Sequence, residues 1–189
     1  MQRPEKLEPD KFYHIYNRGN NRENIFFEDR NYGYFLTLWE NHTKSIADTY
    51  VYCLLKNHFH ALIKTKNSEI TEPSKQFSNL FNSYAKAVNK AYSRTGSLFQ
   101  RPFGRNEVSS ENYLVQVVLY VHFNPQKHGF VKTFESYSYS SYNVLLSDRQ
   151  TFLKRDEVFG WFGSREHFIR AHEMRQEDRG PNQLLDYED

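Results

Sequence analysis

A single cysteine in 189 residues leaves no partner for an internal disulfide. A chain of this length can bury well over half of the surface that its unfolded form exposes, so neither a disulfide nor a structural metal is needed to hold a core. Metal ligands found in it are therefore expected to serve chemistry rather than stability. Cys53 lies among Tyr52, Leu54 and Leu55, where a free thiol behaves as a small buried apolar group. That usage suits a reducing, cytoplasmic setting. Long apolar runs are missing as well: none approaches the about 20 residues that a membrane-spanning helix requires. Met1–Asp10 is polar and charged, unlike a signal sequence, so no membrane partner is expected.

Acidic residues are absent from one stretch. Between Pro73 and Asn106 stand six basic residues, Lys75, Lys86, Lys90, Arg94, Arg101 and Arg105, and no acidic ones. From Ser147 to Asp189 there are seven basic and ten acidic residues. The formal net charge of +2 hides this division. The middle stretch is a candidate phosphate-facing surface and the tail is not. Aromatic residues make up 17% of the chain and most of them must be core, while a surplus beside basic residues also suits the stacking of unpaired bases.

Local patterns predict alternating elements. Phe12–Tyr16 reads as a strand running into the turn-rich Asn17-Arg18-Gly19-Asn20-Asn21. Tyr32, Phe35, Leu36 and Trp39 recur at helical spacing across Asp29–Thr43. Tyr50–Leu55 and His58–Lys64 read as strands of a hairpin joined by Lys56-Asn57. A helix opens at Thr71-Glu72-Pro73-Ser74 and runs to about Ser93, with proline in its first turn. Leu98–Val108 reads as extended. Ser109-Ser110-Glu111 caps a further helix, expected to stop at Asn124 because Pro125 disfavours helical geometry before it. Short helices are expected near Tyr139–Leu145 and Ser164–Arg175, with disorder after Gly180. The pattern predicts an α+β fold, an antiparallel sheet with helices packed on one face, in a domain over 1–146 followed by a helical, charged extension over 147–189.

The sharpest chemical feature is His58-Phe59-His60. In a strand, residues i and i+2 share a face with their β-carbons about 7 Å apart, close enough for two imidazoles to meet one ion. Phe59 points to the opposite face. Two polar residues on a wet strand face fit the same triplet. Tyr120 and Asn124 stand at i and i+4 and share a helix face. If that face meets the histidines, Asn124 offers a carbonyl oxygen and Tyr120 stands beside it. A core aromatic and a helix C-cap account for the same two residues. Two nitrogens and a neutral oxygen would leave positions open for phosphate and water, which suits Mg²⁺ or Mn²⁺ better than structural zinc. A tyrosine, with an ordinary pKa of about 10, needs such activation to attack a phosphodiester.

These segments resemble the single-tyrosine HUH transposases, whose motif is His, bulky apolar, His. The resemblance is carried by Leu55-Lys56-Asn57-His58-Phe59-His60-Ala61-Leu62-Ile63 and by Tyr120-Val121-His122-Phe123-Asn124-Pro125. His14-Ile15-Tyr16-Asn17-Arg18-Gly19 and Gly96-Ser97-Leu98-Phe99-Gln100-Arg101-Pro102-Phe103 add to it. The most similar branch is the transposases associated with repetitive extragenic palindromes, over roughly residues 10 to 145. The resemblance implies a ferredoxin-like sheet, a divalent cation, and cleavage of single-stranded DNA beside a hairpin. It also implies a 5′-phosphotyrosine intermediate with a free 3′-OH. His58, His60 and Asn124 become the metal ligands and Tyr120 the nucleophile. Lys56 departs from the proline common before Asn-His, and Arg101-Pro102 stands where glycine is frequent.

Arg18, Lys86, Lys90, Arg94, Arg101 and Arg105 are candidates for DNA phosphates. His122 is expected at the surface or behind the ligands, and His14 as a satisfied structural histidine, or within reach of the site if its strand neighbours His58. Tyr113 is the rival nucleophile, without an asparagine at i+4. Two other functions compete: a non-catalytic DNA-hairpin-binding protein of the same fold, and a metallohydrolase of small phosphoesters. The sequence leaves monomer and homodimer both open, and with them whether Tyr120 serves its own site or a partner's.

Overall fold

The computed structural model describes residues 6–67 and 72–177. Thr71 and the segment beyond Gly180 lie outside them. In chain order the elements are β1 (Phe12–Arg18), α1 (Asp29–Thr43), β2 (Ala47–Leu55), β3 (His58–Thr65), α2 (Pro73–Ala91), β4 (Gly104–Val108) and α3 (Glu111–Lys127). Three more helices follow: α4 (Tyr142–Leu146), α5 (Arg155–Phe162) and α6 (Arg165–Glu177). The sheet is antiparallel in the order β2-β3-β1-β4. Six elements in the succession β-α-β-β-α-β with this order make the ferredoxin-like arrangement.

The pleat of β3 divides the molecule. Phe59 is fully buried against Phe35 and Trp39 of α1 and Phe81 of α2, so these two helices cover one face. His58 and His60 point to the other face, where α3 lies. The hairpin fixes this choice. Leu55 pairs with His58 across the two-residue turn Lys56-Asn57, and a slip of one residue would reverse every side chain of β3.

The third helix runs past the proline. Its expected end at Asn124 is overturned, because residues Val117 to Pro125 are all buried and the helix continues to Lys127. Pro125 removes one donor, but packing on both sides of α3 outweighs that loss. The chain then leaves the helix with His128 N–H donating to Asn124 O at 3.0 Å and Phe130 N–H to Pro125 O at 2.9 Å. Asn124 is thus an interior helical residue, not a terminal cap.

The described part of the extension packs on β2 and α3. Lys154 N–H donates to Thr49 O at 3.0 Å, Tyr50 Oη–H donates to Glu157 at 2.8 Å, and the Trp161 ring lies 4.8 Å from that of Tyr50. Val158 and Phe168 join the same core as the sheet. Helix α5, with one buried residue in eight, carries no helical apolar stripe that sequence could reveal. The expected extended run from Leu98 is a strand only from Gly104. Before it, Leu98–Phe103 is stitched to the end of β1 by Gln100 N–H to Arg18 O and Asn20 N–H to Leu98 O, both 2.9 Å.

Gly104 faces Tyr16 across β1 and β4. A β-carbon there would fall 2.1 Å from the Tyr16 ring, which rests on His14 and His60 at centroid distances of 5.2 and 6.0 Å. The replacement Gly104→Ala is expected to push the Tyr16 ring off this stack and to lower stability by about 1–3 kcal/mol. Urea denaturation measures it, and a midpoint within error of the parent would show that the ring is not confined.

Candidate active site

Strand β3 and helix α3 bring four of the expected residues together. His58 and His60 are 2% and 0% exposed, Tyr120 2% and Asn124 0%. Asn124 Oδ1 lies 3.2 Å from His58 Nε2, and the rings of His58 and His60 stand 5.3 Å apart. The Tyr120 ring meets His60 edge-on at 5.3 Å and His14 edge-on at 5.7 Å. The i, i+4 stripe of α3 therefore does face the histidines.

The protonation of His58 follows from its neighbours. Asn57 Nδ2 donates to Arg22 O at 3.5 Å, which turns Asn57 Oδ1 towards His58 Nδ1 at 2.7 Å. An amide oxygen only accepts, so His58 carries its proton on Nδ1. Burial pushes the His58 pKa down to about 3, helped by the positive charge of a protonated His128, so the ring is neutral near pH 7 and Nε2 holds a lone pair. That lone pair faces the carbonyl oxygen of Asn124. Two acceptors at 3.2 Å do not form a hydrogen bond. A cation between them satisfies the pair, as does a turn of the amide that brings Nδ2–H to Nε2. As it stands, Asn124 Nδ2 is buried with no hydrogen-bond partner among the described residues.

The spacing and chemistry fit a divalent ion. Adjacent ligands of an octahedral cation at 2.1 Å stand roughly 3.0 Å apart, close to the observed separation. Among the described residues no three His, Cys, Asp or Glu side chains cluster for a metal, and the neutral amide of Asn124 is the further oxygen donor beside His58. A set of two imidazoles and one carbonyl oxygen is weak for structural zinc and leaves positions for phosphate oxygens.

His14 is completely buried, and its Nε2 lies 2.9 Å from His60 Nδ1. One proton between the two rings orients both, leaving the opposite edge of His60 to the site. Burial holds His14 down to about 3 and His60 well below the ordinary range, the neighbouring histidines adding to the shift of His60. His14 is therefore structural in the sense expected, and it also fixes a candidate ligand.

His122 corrects the expectation of a surface or supporting position. It is completely buried on the side of α3 facing the extension. His172 Nδ1–H donates to Phe168 O at 2.7 Å, so His172 Nε2 accepts from His122 Nδ1–H at 2.9 Å. His122 Nε2 then accepts from Ser141 Oγ–H at 2.8 Å, and Ser141 Oγ accepts from Tyr52 N–H at 2.9 Å. One set of tautomers satisfies this whole chain, and it ties α6 and β2 to the helix that carries Tyr120.

Sequence reasoning missed three neighbours. Asn57 reads in sequence as a turn residue, yet it sets the tautomer of His58. His128 lies 5.0 Å from His58, and Lys127 Nζ lies 5.6 Å from the Tyr120 ring centroid. Both follow Asn124 at helical spacing, a signal hidden by ending the helix at Pro125. Tyr113 is half-buried in the first turn of α3, two turns from Tyr120, and burial raises its pKa.

The basic candidates divide. Arg18 pairs with His58 in the sheet register, and its charge adds a smaller part to the lowering that burial causes at His58, His60 and His128. Lys86, Arg101 and Arg105 border a cleft on the α2 side. Lys90 is exposed at the end of α2. Arg94 pairs with Glu23 and donates to Asn89 at 3.0 Å.

The α+β fold, the ferredoxin-like sheet and an HUH-type side-chain arrangement define the class that this chain resembles. No protein-family model matches the chain. A Haemophilus influenzae protein named as a REP-associated tyrosine transposase is 25% identical over 104 residues, covering 51% of this chain. The match spans 59% of that relative's length. The solved structure of a REP-associated tyrosine transposase bound to a REP hairpin superposes with a TM-score of 0.62 at 16% identity, covering 78% of this chain and 86% of that one. The chain is thus similar to REP-associated tyrosine transposases in sequence and in fold. No described helix is long and apolar enough to cross a membrane.

Buried neutral histidines make stability sensitive to acid. His14, His58 and His172 have folded pKa values of about 3, 3 and 4, against ordinary values near 6.5. The unfolded chain binds more protons below pH 6.5, so stability is complete above that pH and falls as pH drops through the window from 6.5 to about 3. Urea denaturation at pH 7.5 and pH 5.5, where carboxylates stay ionised, is expected to give a lower midpoint at pH 5.5. Equal midpoints would contradict the buried neutral state.

Proposed function

We propose that this protein cuts and rejoins single-stranded DNA beside a hairpin, through Tyr120 and a 5′-phosphotyrosine intermediate. The observation that carries this reading is the buried convergence of His58, His60 and Asn124 beside Tyr120, with the lone pair of His58 Nε2 directed at Asn124 Oδ1. The likeness to transposases, one of them seen with a REP hairpin, supports the choice of substrate. A non-catalytic hairpin binder has no need of this set.

His58 and His60 through imidazole nitrogens, and Asn124 through its amide oxygen, would hold Mg²⁺ or Mn²⁺, which when bound supplies Lewis acidity to the scissile phosphate. Asn57 keeps the His58 imidazole in the tautomer that leaves a lone pair for that purpose, and His14 holds the His60 ring in orientation. Arg18 binds a phosphate oxygen beside the histidines. Tyr120 Oη attacks phosphorus, its proton passing to solvent, while the bond to the 3′ oxygen breaks and that oxygen leaves as a hydroxyl. Lys127, close to the Tyr120 ring, favours the negative charge that grows on the phenol oxygen. A phenolate leaves more readily than a sugar alkoxide, so the covalent step can be reversed by a second 3′-OH. That property suits strand transfer better than hydrolysis.

A labelled hairpin oligonucleotide with single-stranded flanks is expected to form a covalent adduct in Mg²⁺ or Mn²⁺ and none in chelator. The variant Tyr120→Phe should lose the adduct, and Tyr113→Phe should keep it. Adduct formation by Tyr120→Phe, or none by the parent with any hairpin, would sink the proposal. Replacing the amide oxygen in Asn124→Ala should raise the metal concentration for half-maximal adduct by roughly 10–100-fold. An unchanged metal dependence would remove Asn124 from the ligand set.

A further inference from the structure

A cleft of about 390 Å³ opens on the side of the sheet away from the histidines, between α2 and the segment Gly96–Phe103. That size lies at the small end of ligand sites. Lys86, Arg101 and Arg105 line it, and none of its described lining residues is acidic. That lining suits a negatively charged occupant. Asn17, Asn82 and Gln100 add amide side chains, which offer a donor and an acceptor on one group and match the edge of a nucleobase.

The cleft also has a flat wall. The Arg105 guanidinium carbon lies 3.7 Å over the Phe103 ring centroid and the group donates to Ser74 Oγ at 2.8 Å, so it is held against an aromatic face. Unpaired bases stack on such guanidinium planes as they do on rings. Arg101 is positioned by its 2.9 Å hydrogen bond to Asn82 on the neighbouring wall.

We propose that this cleft holds one unpaired nucleotide of the DNA strand, its base layered on Arg105 and read by the amides, its phosphate towards Lys86 and Arg101. The proposal rests on the single-stranded DNA substrate proposed above. It adds a fixed distance. Asn17 lines the cleft while its neighbour Arg18 lies with the histidines on the opposite face, and Gln100 N–H to Arg18 O ties the cleft wall to that same strand end. A strand passing over the end of β1 therefore places the read nucleotide at one set number of positions from the phosphate next to Tyr120.

Abasic scanning tests this. A hairpin oligonucleotide with unpaired flanks on both sides carries one abasic site at each flank position in turn, and binding is measured in chelator, where no cleavage occurs. Parent protein is expected to lose affinity roughly tenfold at one position and little elsewhere. Ala85→Phe, which fills the cleft, and Arg105→Lys, which keeps charge but removes the plane, should bind the intact oligonucleotide roughly tenfold more weakly and lose that positional effect. Thermal melting confirms that both fold. A flat scan with the parent, or a positional effect that survives in both variants, overturns the proposal. So does millimolar deoxynucleoside monophosphate that binds the parent but not Ala85→Phe while strand binding is the same in both, since the cleft would then take free nucleotide. The assay needs neither metal nor Tyr120, so loss of the covalent activity and loss of this site are separate results.

Discussion

Everything in this molecule hangs on the alternation of strand β3. The same three residues serve two environments: Phe59 enters the aromatic core under α1 and α2, and His58 and His60 enter a polar interior under α3. Period-two geometry makes these assignments inseparable, because moving the phenylalanine out of its core moves both histidines out of the site. The free energy of burying Phe59 therefore also holds the two imidazoles in place. The turn Lys56-Asn57 sets the register, and Asn57 then orients the first imidazole directly.

Covering the histidine face with a helix and then with the extension creates a second constraint. Imidazoles taken from water must be neutral and must find partners. The fold meets this demand with paired rings: His14 with His60 inside the sheet, and His122 with His172 and Ser141 between α3 and α6. The two networks lie on opposite sides of the helix that bears Tyr120 and Asn124. That helix is clamped by directional bonds as well as by apolar contact, which fixes its rotation. Rotation is the coordinate that decides whether Tyr120 faces the histidines.

Much of this was legible beforehand. Helix α1 has the expected bounds, because Tyr32, Phe35 and Trp39 sit on one stripe facing one core. The hairpin and the buried cysteine were legible for the same reason: each depends on a single local pattern. The end of α3 was not, because Pro125 gives a strong local signal that packing on both sides overrides. That misplacement hid Lys127 and His128, whose position next to the site exists only if the helix continues. His122 was misjudged because a polar residue two positions from a site residue reads as solvent-facing until a second layer, here α6, is laid over it.

The sequence by itself determined which residues share a face. His58 with His60 follows from the period of a strand, and Tyr120 with Asn124 follows from the period of a helix. Both are properties of the backbone within one element. Only the tertiary structure decided that these two faces meet, that Asn57 sets the His58 tautomer while His14 orients His60, and that the basic residues split between the site and a separate cleft. Those outcomes depend on contacts between residues far apart in the chain, such as Asn124 with His58 and His122 with His172, and no local period encodes them.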